Sequence, residues 1–323
     1  MNEVVVSICC ITYNHEKYIR KALDSFIMQK VNFCYEILIH DDASTDRTAQ
    51  IIKEYEKKYP DIIKPIYQVE NQYSKGKTVS NKNFSRAKGK YIALCEGDDY
   101  WTDPFKLQKQ FDYMEKHNNC GLCFHTVAIL NDKNNKIIGY ISPGKTSRKF
   151  FTEDFILGGG GFLGTNSIFC RTLSLQNIPN FYKNCKVGDY PLQIITVANS
   201  YGYFMNESMS IYRVNVENSW SNRNKNRNNI EARIEKNNLY RNLIQMLTEY
   251  NNYTNNRYNK SIFQKIKEFE VEILLNDGDL KGLKTKNNYP IYKKLSLLKK
   301  IKGYLNCYFP NITYKIITIL MRK

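Results

Sequence analysis

Apolar residues in the first third of the chain gather in short, near-continuous runs separated by amphipathic stretches. Residues 4–11 read Val-Val-Val-Ser-Ile-Cys-Cys-Ile, residues 35–40 Tyr-Glu-Ile-Leu-Ile-His, and residues 91–95 Tyr-Ile-Ala-Leu-Cys; residues 62–68 form a fourth such run. Runs of this kind, bounded by turn residues, predict buried strands of a parallel sheet covered on both faces. Between them, Ile19, Ala22, Leu23, Phe26 and Ile27 recur at helical spacing, as do Ile51, Ile52 and Tyr55. Ser44 or Thr45 is the expected N-cap of the second helix, and a short helix is expected over residues 79–88. Strands and helices alternating in this way imply βαβ units with right-handed crossovers.

Past residue 103 the rhythm changes. Asp103-Pro104 predicts the start of a helix to residue 117, and the runs 121–130 and 136–142 flank a polar turn, so a hairpin makes the sheet mixed. Four glycines at 158–161 could cradle phosphate, but a lone glycine run more often marks mobile backbone, so a mobile loop is expected before a strand over 164–170. Asp189 stands near the N-cap of the next helix with Pro191 at N1, and short strands at 202–205 and 210–214 close the domain. The fold class expected is α/β with a mostly parallel, Rossmann-like sheet, a mixed edge and a helical C-terminal extension.

From Trp220 onward the chain is rich in Asn, Lys and Arg, which sets the expected domains at 1–220 and 221–323. A polar linker (221–229) precedes helices near 231–249 and 262–275. Residues 291–305 read as one basic amphipathic helix, with Ile291, Leu295, Leu298 and Leu305 on one side and lysines on the other; Phe309, Ile316, Ile317, Ile319 and Leu320 continue the apolar pattern. Much of the net charge of +17 belongs to this tail, since no acidic residue follows Asp279. The tail is expected to dock on an anionic membrane surface. The charge does not indicate nucleic acid, because the aromatics fall mostly in core strands and helices rather than among surface cations. No run approaches the length of a membrane span and no leader is evident, so a cytoplasmic protein, peripheral at the inner face of the membrane, is expected. Nine scattered cysteines fit a reducing compartment, and Cys120-Gly-Leu-Cys123 reads as buried strand thiols rather than half of a zinc site.

Chemistry-capable residues cluster at strand ends: Thr12-Tyr13-Asn14, Asp41-Asp42, and Glu96-Gly97-Asp98-Asp99, with Asp189 opening a later helix. In open α/β sheets, ligands bind outside the carboxyl ends of the strands. Clustered carboxylates there suit a hard divalent cation holding a diphosphate; an acidic turn that merely caps the following helix is the bland alternative. Such a set suits nucleoside-diphosphate-sugar chemistry, in which an acceptor hydroxyl must lose a proton as it attacks.

The motifs Ile11-Thr-Tyr-Asn14 with Glu16, Asp41-Asp-Ala-Ser-Thr-Asp46, Glu96-Gly-Asp-Asp99 with Tyr100-Trp101, and Gly188-Asp189, in this order over residues 4–220, resemble the family 2 glycosyltransferases of GT-A fold. Within that family the resemblance is to enzymes of bacterial surface polysaccharide, capsule and lipopolysaccharide synthesis. It implies metal-dependent, inverting transfer of one sugar from a nucleotide-sugar, most simply a UDP-sugar, to a hydroxyl of a glycan or lipid-linked acceptor. It further implies that Thr12, Tyr13, Asn14 and Glu16 line the nucleoside pocket and that Asp42 accepts a hydrogen bond from the base. Asp98 is then expected by the ribose and phosphates, Asp99 on Mn2+ or Mg2+, and Asp189 as the general base. Relatives often carry Tyr-Arg-x-His after the last strand, where this chain has Tyr212-Arg213-Val214-Asn215; Asn offers a carbonyl oxygen but no imidazole. The Gln-x-x-Arg-Trp motif of processive synthases is missing. A non-catalytic nucleotide-sugar-binding relative is the main competing reading.

Overall fold

A computed structural model describes residues 3–76, 79–216 and 229–309. Contacts divide the chain into two compact units, Met1–Ser219 and Trp220–Lys323.

The first unit is built on one sheet, ten-stranded among the described residues. Strands β1 (Val4–Thr12), β2 (Cys34–Asp41), β3 (Ile63–Tyr67) and β4 (Tyr91–Leu94) lie parallel in the order β3-β2-β1-β4. The registers Thr12 to Asp41 and Cys9 to Leu94 bring the carboxyl ends of β2, β1 and β4 to one rim. Then come β5 (Tyr100–Trp101), β6 (Cys120–Asn131), β7 (Lys136–Ile141), β8 (Arg148–Phe151), β9 (Phe169–Arg171) and β10 (Tyr201–Val214). Beyond β4 the sheet runs β9-β6-β10-β5, with β9 antiparallel to both β4 and β6, and β10 parallel to β6. The expected hairpin is present as β6 and β7, paired antiparallel. The mixed part is therefore the whole second half of the sheet rather than its edge.

Helices Ile19–Ile27 and Thr48–Lys58 cover the parallel half, and Phe26, Ile51 and Ile52 meet Val6, Ile8 and Ile37 in the main core. Each such side chain contributes about 1.5–3 kcal/mol on burial. Trp101 completes that core, its ring 4.9 Å from Phe26 and its indole N–H donating to the Asn166 carbonyl at 2.9 Å. Cys120 and Cys123 are buried thiols of β6.

Several local expectations are corrected. Neither Ser44 nor Thr45 caps the second helix; Asp46 Oδ1 accepts from Thr48 N at 2.9 Å, while Ser44 turns its hydroxyl to Asp41. The helix after Asp103 starts at Lys106, because Asp103 accepts from Phe105 N at 2.7 Å in a turn ahead of it. Asp189, not Pro191, is the first residue of its helix, Asp189–Thr196. Residues 164–170 form a 3-10 turn, Thr165–Ser167, and only the short β9. The glycine run, expected as a mobile loop, ends the helix Thr152–Gly158 and forms the 3-10 turn Gly160–Phe162, whose Phe162 ring packs on Phe150 and Phe155.

The second unit is helical among the described residues: Asn229–Tyr253, Asn259–Asp277, Leu280–Leu283, Tyr289–Lys294 and Leu297–Tyr308. Val271, Leu275 and Leu283 form a small core against which Ile291, Tyr292 and Leu295 pack. The single helix expected over 291–305 is broken. Leu295 is extended (φ −66°, ψ 149°), and Ser296 caps a new helix by accepting from Lys299 N. The expected linker 221–229 lies outside the described residues except for the helix-opening backbone of Asn229, as does the apolar pattern beyond Phe309. Among the described residues no helix is long and apolar enough to cross a membrane.

Candidate active site

The rim formed by β1, β2 and β4 is stitched together by short polar contacts. Asn14 and Ala43 both adopt left-handed backbone (φ 55° and 62°), a conformation Asn tolerates better than most residues. Asn14 N donates to Ser44 Oγ at 2.9 Å, and Asn14 Oδ1 accepts from Thr45 N at 2.8 Å. Glu16 N donates to Asp46 Oδ2 and Glu16 Oε2 accepts from Arg47 N, both at 3.0 Å. The loop after β1 is thus fixed to the start of the second helix. Gly97 lies directly against this loop. A Cβ on it would sit 2.6 Å from Thr12 Oγ1 and 3.0 Å from His15 Nδ1, so only glycine lets the acidic turn approach so closely. Both of those buried atoms lack a protein hydrogen-bond partner.

Two carboxylates are committed to the scaffold. Asp42 is buried, with Oδ1 accepting from Gln72 N at 2.8 Å and Oδ2 from Tyr73 N at 3.0 Å. It anchors the loop around Tyr73, at the position where the resemblance implies a contact to the base. Asp99 is also buried; Oδ1 accepts from Arg213 N at 2.9 Å and Oδ2 from Asn166 Nδ2 at 3.0 Å. Burial, followed by the charges of Asp98 and Glu96, pushes the Asp99 pKa upward. Both Asp99 oxygens are thus held by the protein's own donors, at the position where the resemblance implies a metal ligand. Its neighbour Asp98 is the half-buried carboxylate of the turn, 3.8 Å from His15 Nε2. Glu96 keeps an exposed surface but lies deep among acidic neighbours. Desolvation, then Asp98 and Asp189, raises its pKa.

Asp189 is half-buried at the start of its helix, with its carboxylate against Gly160; a Cβ there would come 3.2 Å from Oδ2. Gln193 Nε2, one turn along, donates to the Gly160 carbonyl at 3.1 Å and fixes that contact. Burial raises the Asp189 pKa, and the Asp189 charge bears on Glu96 and on Tyr212, whose own pKa is raised by burial and by the acidic turn. Asp189 is therefore near enough to the 96–99 turn for its charge to act on Glu96.

Three supports were not singled out by sequence reasoning. Asn166 donates to both Asp99 and the Ile211 carbonyl and accepts from Ser210 Oγ. His15 stands beside Asp98. Arg213 donates to the Asp98 carbonyl, with its guanidinium 5.0 Å from the Tyr18 ring and 4.6 Å from the Tyr100 ring. Arg213 had a signal in the Tyr-Arg-x-Asn string; Asn166 had none. Asn215 is left-handed (φ 65°) and donates to Asn131 Oδ1 at 3.0 Å. Among the described residues no three His, Cys, Asp or Glu side chains converge to hold a metal unaided. One or two carboxylates with diphosphate oxygens are what Mg2+ takes, and Asp98, the half-buried carboxylate of the turn, fits that pattern.

A curled, largely parallel sheet with an acidic turn at the carboxyl end of a central strand is the architecture of the GT-A glycosyltransferases. The fold is shared with Staphylococcus aureus TarS (residues 1–349, crystallised with UDP), at a TM-score of 0.58 over 94% of this chain and 79% of that one, with 16% identity. It is also similar to a mannosyltransferase of Pyrobaculum calidifontis in complex with GDP-Man and Mn2+, at a TM-score of 0.50 over 97% of this chain and 83% of that one, with 12% identity. In sequence, residues 7–173 match glycosyl transferase family 2, and the chain belongs to that family. An uncharacterized glycosyltransferase of Methanocaldococcus jannaschii is 30% identical over 74% of this chain and 78% of its own length. An uncharacterized protein of Mycobacterium tuberculosis is 38% identical over 67% of this chain; the match spans 60% of that protein's length.

Proposed function

We propose that the chain transfers a single sugar, with inversion, from a nucleotide-sugar donor of the UDP type to a hydroxyl of a growing surface glycan or lipid-linked acceptor, at the inner face of the cell membrane. The observation that carries this reading is the half-buried Asp189 carboxylate at the start of its helix, whose charge acts on Glu96 of the acidic turn. The solved neighbours with UDP or with GDP-Man and Mn2+ support a nucleotide-sugar donor and a divalent cation.

In this reading Thr12, Tyr13 and Asn14 line the nucleoside pocket. Glu16 and Asp42 shape it from behind through Arg47 N and the Gln72–Tyr73 backbone. Asp98 would hold Mn2+ or Mg2+, with Asp99, Asn166 and Arg213 fixing the turn. When bound, the cation neutralises charge on the departing diphosphate. Asp189, its pKa raised by burial, accepts the acceptor hydroxyl's proton as the oxygen attacks the anomeric carbon from the face opposite the diphosphate. A single displacement of that geometry inverts the anomeric centre.

A second reading, a non-catalytic nucleotide-sugar-binding relative, is favoured by Asn215, whose amide is engaged with Asn131 where relatives carry a metal-proximal His. Donor turnover with Mn2+, measured for wild type and Asp189→Asn, separates the two. The transferase reading expects turnover in wild type and a loss of about 10^2–10^4 in the variant, with UDP binding and thermal stability retained. Absence of turnover with any UDP- or GDP-sugar would favour the binding relative, and an active Asp189→Asn would remove the base from Asp189.

A further inference from the structure

The last described helix, Leu297–Tyr308, is docked with its faces reversed from what its composition suggests. The side that packs on the helix Asn259–Asp277 is the polar one. Gly303 and Asn306 are buried, and a Cβ on Gly303 would press on Leu275. Asn306 Nδ2 donates to the Leu275 carbonyl at 2.9 Å, Lys302 Nζ donates to Asn276 Oδ1 at 3.0 Å, and Lys299 pairs with Glu272. Asn276 Nδ2 in turn donates to Asn237 Oδ1, so the helix is seated by a chain of hydrogen bonds. The apolar side faces outward: Leu297 is 73% exposed, Leu298 56% and Tyr308 66%, with Tyr304 and Phe309 exposed beside them.

That arrangement is costly in water unless something covers it, because isolated exposed apolar residues are ordinary but five within thirteen positions form a patch. Ahead of it in the chain come the exposed Lys281, Lys284, Lys286, Lys293 and Lys294, and residues 280–309 contain no acidic residue and no arginine. The charge selects the occupant. A folded protein partner with defined carboxylates is met by planar, forked arginines, whereas lysines are mobile point charges on long apolar stems. Lysines flanking leucines and interfacial tyrosines match a fluid layer of anionic headgroups over hydrocarbon.

We infer that the outward face of Leu297–Tyr308, with the lysines before it, seats this protein on an anionic lipid bilayer. This specifies the surface behind the membrane location proposed above. Its test needs no sugar transfer, so either proposal can fail alone.

The test is co-sedimentation of the full chain with vesicles of phosphatidylcholine alone, or of about three parts phosphatidylcholine to one of phosphatidylglycerol. Binding should require the anionic lipid and fall steeply between low and high salt, since the Debye length shrinks from about 10 Å at 0.1 M to about 3 Å at 1 M. Lys293→Gln with Lys294→Gln should lower partition by roughly twenty-five-fold, at about fivefold per lysine. Leu297→Ser with Leu298→Ser, both at exposed positions, should abolish it while the thermal melt stays unchanged. No binding to anionic vesicles, equal binding to both compositions, or leucine variants that sediment like wild type would overturn the inference. A wild-type dimer in sedimentation velocity that the leucine variants convert to monomer, without any vesicle binding, would assign the face to a second copy instead.

Discussion

Asn166 offers the most direct probe of the scaffold behind the acidic turn. Its side chain is buried and makes three hydrogen bonds: Nδ2 to Asp99 Oδ2 at 3.0 Å, Nδ2 to the Ile211 carbonyl at 2.9 Å, and Oδ1 from Ser210 Oγ at 3.0 Å. Asn166→Ala leaves three buried groups short of a partner. Each such loss costs about 1–3 kcal/mol, and a water entering the vacated space recovers part of it, so the net effect expected is about 3 kcal/mol. For a unit of this size that corresponds to roughly 6–12 °C in Tm. The backbone of residue 166 still accepts from the Trp101 indole in the variant, so the core below should remain packed. Differential scanning calorimetry gives the stability change, and UDP titration with Mn2+ shows whether the turn has moved. A variant within about 1 kcal/mol of wild type would refute the reasoning, because the Asp99 carboxylate would then need no donor from Asn166.

Asp98→Asn should weaken UDP binding on the order of tenfold to a hundredfold in Mn2+ and leave it unchanged in EDTA; isothermal titration reads both, and equal affinities in Mn2+ would remove Asp98 from the cation. Lys106 gives a pH signature. It is fully buried, with Nζ 4.0 Å from the centre of the Trp101 ring and hydrogen-bonded to Gln110 Oε1, and burial lowers its pKa to about 7 from an ordinary 10.5. The folded state sheds a proton that the unfolded chain retains, so the penalty is full below pH 7 and fades as pH rises toward 10.5. Chemical denaturation of wild type relative to Lys106→Met should therefore show stability rising by about 2 kcal/mol between about pH 7.5 and 9. Taking the difference cancels the opposite trend from buried thiols such as Cys9, whose pKa burial raises. A flat difference would mean that Lys106 titrates normally.

The parallel half of the sheet was legible because its strands announce themselves locally: residues 4–11, 35–40 and 91–95 are apolar runs ending in polar turns, and each is a strand that delivers its end to the rim. What could not be read was which way adjacent carboxylates point. Asp98 and Asp99 are equivalent by composition. The partners that turn Asp99 inward lie 67 and 114 residues away, and those that occupy Asp42 lie about thirty away. Helix starts were misplaced by two or three residues where an aspartate accepted from the backbone two positions on, as at Asp46 and Asp103. The tail failed differently. Its periodicity described one helix, but Ser296 supplies a cap in the middle, and the docked face is set by Gly303 and Asn306, residues with no apolar signature.

The bond from Arg213 N to Asp99 has a consequence for how the enzyme comes into being on the ribosome. The first four strands and the acidic turn emerge with residue 99, yet one donor to the Asp99 carboxylate is the backbone of residue 213. At about 5–20 residues per second, the 114 residues between them take roughly 6–23 s to synthesise. Through that interval the nascent chain carries its first four strands and an acidic turn whose Asp99 carboxylate still lacks the donor from residue 213. The last hydrogen bond to the acidic turn is thus supplied by the last strand of the sheet to be made.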